Sequence, residues 1–84
     1  MFNNFGKNVS KLELKHSLLD TLSKNEIALD YIQNKIFNTE NKLGVSPEDE
    51  ILKSDLETEK YIQFTLRYLD KMYRDSLKKI GVRV

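Results

Sequence analysis

Between Lys42 and Asp49 the chain reads K-L-G-V-S-P-E-D, a helix stop and a helix start with almost nothing between them. Gly44 can take the left-handed conformation that closes a helix and satisfies its last carbonyls. Ser46 can cap the next helix, with Pro47 at its first position, where no N–H is needed. Glu48, Asp49 and Glu50 then place negative charge on the positive end of the new helix dipole. So short a link forces the flanking helices antiparallel, and similar lengths of chain lie on either side. The expected fold is an all-α antiparallel hairpin in a single domain over residues 1–84. It has a helix over about 10–43, a turn at 44–46 and a helix over about 47–80, with short tails.

Whether residues 10–43 form one helix is decided by phase. Ser10 with Glu13, and Ser23 with Glu26, both read as capping boxes, and Val9 stands before Ser10 as a hydrophobic staple to Leu14. A break at Ser23 would give three helices. However, Leu14, Leu18, Leu22, Leu29, Ile32, Ile36 and Leu43 share one stripe with no jump at Ser23. Leu22, Leu29, Ile36 and Leu43 recur every seven residues, as in a coiled-coil seam, and Asn25 falls in the companion series as a register-setting polar residue. The unbroken helix is the stronger expectation. In the second helix the matching stripe is Leu52, Ile62, Leu66, Leu69, Tyr73, Leu77 and Ile80, interrupted by Glu59. Gly81 ends it, and residues 82–84 form a tail.

Apolar residues make up 39% of the chain and charged residues 32%, with one proline and three glycines, a balance suited to an ordered, helix-rich chain. No cysteine is present, so disulfides and thiolate metal sites are excluded. No run approaches the roughly 20 apolar residues of a membrane span. Phe2, Phe5 and Val9 are too few for a signal peptide, so a cytoplasmic location is expected. The small net charge hides a segregation. Residues 40–59 hold Lys42 and Lys53 against seven carboxylates, and residues 60–84 hold seven cations against Asp70 and Asp75. Dipole matching along one helix accounts for this, as would the antiparallel pairing of two such helices or an acidic partner at the basic end.

Two surface features stand out. Tyr61, Phe64 and Tyr68 lie on the side of the second helix away from its seam, and Ile27 and Tyr31 on the corresponding side of the first. Height along an antiparallel hairpin sets residue 27 level with 64 and 31 with 60, so an aromatic band is expected midway along it. Its expected covering is a second copy, completing a four-helix bundle; a third helix or another protein are the alternatives. The second feature is a basic stripe, Lys53, Lys60, Arg67, Lys71, Arg74 and Lys78, about 38 Å long at 1.5 Å per residue. Bordered by Phe64, it could follow a phosphate backbone. Acidic neighbours, Asp49 to Lys53, Glu57 to Lys60, Asp70 to Arg74 and Asp75 to Lys71 and Lys78, would instead make it a paired, solvated face.

No catalytic constellation, metal site or cofactor motif emerges. His16 is the only histidine, and its K-H-S-L-L-D setting lacks the acidic or Lys-Gly follow-on that a phosphoacceptor histidine would carry. In outline the chain resembles the helical hairpins of small sporulation phosphatases that act on aspartyl-phosphate. Where those carry S-Q-E-L-D, Ser54 to Thr58 read S-D-L-E-T, and no catalytic residue carries over. The expected function is therefore a non-enzymatic interaction module, an adaptor or an inhibitor that occludes a larger partner. It would dock through Ile27, Tyr31, Tyr61, Phe64 and Tyr68 with flanking cations, pairing with itself and with an acidic protein surface. Non-specific nucleic-acid binding by the basic stripe is the alternative.

Overall fold

A computed structural model describes residues 10–83. Two helices, α1 (Lys11–Val45) and α2 (Glu50–Lys79), pack against each other as a hairpin with overall dimensions of 55 × 29 × 15 Å. The staple through Val9, the reading of Phe2 and Phe5, and the last tail residue lie outside the described residues.

Helix α1 begins where its cap predicts. The Ser10 hydroxyl oxygen accepts from the Glu13 N–H at 3.1 Å with Ser10 in an extended conformation. It then runs 35 residues through Ser23 without a break. Leu22 and Asn25, on either side of that serine, are both buried in the seam, so a kink there would expose them.

The turn lies two to three residues later than the sequence suggests. Gly44 is helical rather than left-handed, and the only positive φ among the described residues belongs to Gly81. The stop comes instead from Pro47, whose ring bars the preceding residue from the α region. Ser46 accordingly leaves the helix at φ −129°, ψ 71°, and its N–H closes α1 on Lys42 O at 2.9 Å. Ser46 to Asp49 then form a β-turn, Asp49 N–H to Ser46 O at 3.1 Å, with Pro47 in the second position its fixed φ favours. Asp49, rather than Ser46, caps α2: its Oδ1 accepts from Ile51 N–H and Leu52 N–H, each at 3.0 Å. A charged acceptor holding two free donors at the positive helix end outcompetes a serine hydroxyl. Asp49→Ala is expected to destabilise the hairpin by about 1 kcal/mol and Ser46→Ala by clearly less, read from urea unfolding midpoints. The reverse order would restore Ser46 as the cap.

Helix α2 ends at Gly81, at φ 91°, as the sequence predicts. Val82 N–H donates to Leu77 O at 2.9 Å and Gly81 N–H to Lys78 O at 3.0 Å, the paired bonds of a Schellman motif. The motif's first residue, Leu77, is the one fully buried large side chain among those described.

The seam follows a seven-residue repeat on both helices, but on α2 it is rotated from the expected stripe. The heptad positions Leu52, Leu56, Glu59, Gln63, Leu66, Asp70, Tyr73 and Leu77 are all buried or half-buried; of the expected stripe Leu69 and Ile80 are half-buried too, and only Ile62, 41% exposed, turns outward. Apolarity alone assigned Ile62 to the seam, and the heptad phase puts Gln63 and Asp70 there. Polar layers interrupt the core. Asn25 Nδ2 donates to Leu66 O at 2.9 Å, and Thr39 Oγ1 lies 3.0 Å from both Lys35 O and Glu59 Oε2. Glu59 is 7% exposed and its Oε1 has no protein partner, nor has Asp70 Oδ1. The wholly apolar core is thus small: among the described residues Leu22, Ile32, Ile36 and Leu77 are buried, while twelve large apolar side chains stay exposed.

Candidate interaction surfaces

With the seam fixed, each face of the hairpin follows from 100° of rotation per residue. On one flank the two helices enclose a shallow apolar groove lined by Ile27, Ala28 and Tyr31 of α1 and by Ile62 and Leu66 of α2, with the Lys24 stem at its edge. Tyr31 and Ile27 are 66% and 69% exposed, standing proud of the groove rather than folded into it.

The expected single aromatic band is divided. Tyr61, Phe64 and Tyr68 do not line the groove. Phe64 follows Ile62 by two residues and so points about 200° round the helix from it. Tyr61 and Tyr68, seven residues apart, share the outward edge of α2, opposite its seam. Equal height along the hairpin brought Ile27 level with Phe64; rotation about α2 puts them on different faces.

On this second face the aromatics have cationic company. Arg67, Lys60, Lys71 and Phe64 fall within about 60° of rotation, and Tyr68 and Tyr61 within a further 60°. All three aromatics are well exposed. The six-residue basic stripe is only partly free. Lys53 pairs with Glu50 at 3.4 Å and Glu48 at 4.0 Å, not with Asp49, which is committed to the cap. Arg74 pairs with Asp70 at 2.9 Å and with Glu26 across the hairpin. The Asp70 hydrogen bond and charge raise the Arg74 guanidinium above its ordinary pKa, so it stays charged at any physiological pH. Lys60, Arg67, Lys71 and Lys78 form no ion pair among the described residues. The neutralising pairs expected from Glu57 and Asp75 are thus not made, and a free cationic strip about 27 Å long remains.

Among the described residues chemistry-bearing side chains are not gathered elsewhere. His16 is exposed, and Asp20, its neighbour four residues on, pairs with Lys24 at 3.0 Å. Among the described residues no three His, Asp or Glu side chains are grouped to hold a metal ion, and no helix is long and apolar enough to cross a membrane. Compared with protein-family models, curated proteins and solved structures, the chain matches none.

Sequence reasoning missed one surface. On the groove flank of α2, Ile51, Asp55, Thr58, Ile62, Thr65, Leu69, Met72, Ser76 and Lys79 recur at alternating spacings of four and three, parallel to the seam and one residue behind it. That spacing was the available signal. It is masked because apolarity alone assigns Ile62 and Leu69 to the seam.

Proposed function

We propose that this chain is a small non-enzymatic protein–protein interaction module of the cytoplasm, an adaptor or an inhibitor that occludes a larger partner. Its docking face is Tyr61, Phe64 and Tyr68 with Lys60, Arg67 and Lys71, and the partner presents an acidic surface. The observation that carries the reading is the exposure of the three aromatics, 72%, 69% and 59%, beside cations with no acidic partner of their own. Large aromatic side chains are the usual energetic centre of an interface. Unpaired cations around them raise association rates toward an acidic surface and set orientation. A rigid helix holds both at no ordering cost.

The free strip from Lys60 to Lys78 supports a second reading, non-specific nucleic-acid binding with Phe64 as a stacking platform. Salt separates the two. Four phosphate contacts on a single strand would weaken binding roughly 50-fold between 50 and 200 mM salt. The deciding experiment compares capture of cellular proteins by the native chain, by Tyr61→Ala/Phe64→Ala and by Arg67→Glu/Lys71→Glu. Fluorescence titration of a 20-nucleotide single strand at both salt concentrations runs alongside. A nuclease-resistant partner lost by both variants, without oligonucleotide binding at 200 mM, is the expected result. Steeply salt-dependent oligonucleotide binding, lost only with the arginine and lysine reversals, would replace the first reading by the second.

A further inference from the structure

The uncharged row on the groove flank of α2 has a regularity that an isolated hairpin does not use. From Thr58 through Ile62, Thr65, Leu69 and Met72 to Ser76 it spans about 27 Å with no charge. Thirteen of the 30 residues of α2 are charged, yet none falls in this stretch of the row. The alternating four–three spacing is that of a seam, so the row is shaped to receive another helix. Beside its centre lies the groove where Ile27 and Tyr31 stand exposed.

We propose that the occupant is α2 of a second copy, lying antiparallel with a two-fold axis near Thr65. Charge complementarity selects it. The first third of α2 carries Glu50, Asp55, Glu57 and Glu59 against Lys53; the last third carries Lys71, Arg74, Lys78 and Lys79 against Asp70 and Asp75. An antiparallel copy sets the acidic third of each helix along the basic third of the other, whereas a parallel copy sets like on like. The row itself obeys the same rule. Its two charged members, Asp55 and Lys79, stand on opposite sides of Thr65 and come within about one turn of each other across the axis. Thr58 then meets Met72, and Ile62 lies near Leu69. The two-fold contact is isologous and closes, giving a four-helix arrangement with Ile27 and Tyr31 covering the second copy's helix. The broad face of the hairpin, 55 × 29 Å, is larger than the roughly 800 Å² per partner of a stable interface.

This pairing leaves Phe64 and its cations free, about 120–180° round α2 from the row, while Tyr61 and Tyr68, about 60–80° from it, flank the contact. Arg67→Glu/Lys71→Glu therefore tests docking of a partner apart from self-association.

The absence of cysteine makes the test direct. Sedimentation should give twice the 9.9 kDa chain mass. Under mild oxidation Thr65→Cys should link to itself at least tenfold faster than Phe64→Cys or Lys79→Cys. Thr58→Cys mixed with Met72→Cys should give the mixed dimer in preference to either symmetric one. Ile62→Glu should abolish the dimer; should it unfold the chain, Asp55→Lys and its combination with Lys79→Asp serve instead: the single change should weaken the dimer about tenfold and the pair restore it. A monomer at several hundred micromolar, Thr65→Cys linking no faster than Phe64→Cys, or preferential Lys79→Cys self-linking would each overturn the proposal.

Discussion

Leu77→Ala is expected to lower the stability of the hairpin by about 2–5 kcal/mol, the range for truncating a fully buried leucine. Leu77 has no exposed surface, and its carbonyl accepts the Val82 N–H that closes α2. Truncation would open a cavity beneath the C-terminal cap, where the chain has little other apolar mass to collapse into it. Only three further large apolar side chains are buried among the described residues, so the loss falls on a small core. Leu12→Ala, at 61% exposure and outside both proposed contact faces, is the matched control and should change stability within about 0.5 kcal/mol. Urea titrations at one fixed protein concentration measure both, since association would add to the apparent stability. Equal midpoint shifts for the two variants would refute the assignment of Leu77 as the packing centre of this end.

Glu59→Leu should act in the opposite direction. The Glu59 carboxylate is buried in the seam with Thr39 as its one side-chain donor, and the Thr39 hydroxyl hydrogen is shared with Lys35 O. Its other oxygen has no protein partner. Replacing a buried, poorly satisfied polar group by an apolar residue that continues the heptad should stabilise by about 1–4 kcal/mol. Thr39→Val, which deletes the donor and keeps the shape, should destabilise by about 1–3 kcal/mol, because Glu59 then lies buried with neither oxygen bonded. In the double variant Thr39→Val should become nearly harmless, and that non-additivity is the signature of a direct contact. Additive effects would mean that the two side chains do not meet in solution.

These residues also mark where sequence and structure part company. The hairpin, the Ser10 cap, the unbroken first helix and the Gly81 stop were legible because each rests on one local rule: a hydroxyl before a helical run, a stripe without a phase jump, a glycine after one. The turn was misplaced because Gly44 permits a left-handed conformation without requiring it, whereas Pro47 compels Ser46 to leave the helix. On α2 the seam was rotated because hydrophobicity finds only apolar seams, and here Glu59, Gln63 and Asp70 occupy core positions while Ile62 faces outward. The docking band was divided for a related reason. Height along a hairpin can be read from the turn outward, but the facing of Phe64 depends on the rotational phase of a seam that was itself misread.

Because the turn at residues 46–49 joins the two helices at one end, Ser10 and Ile80 leave the hairpin together at the other. Tension drawn between those two points would peel the seam rather than shear it, loading one layer at a time from Leu77 toward the turn. Such a geometry yields at low force, since resistance at any moment comes from a single layer rather than from the sum. The buried Thr39–Glu59 layer, near the closed end, is among the last to part, and the Asp49 cap and Pro47 turn beyond it remain to template reclosure. Mechanically, the chain would open as a zip with a fixed stop.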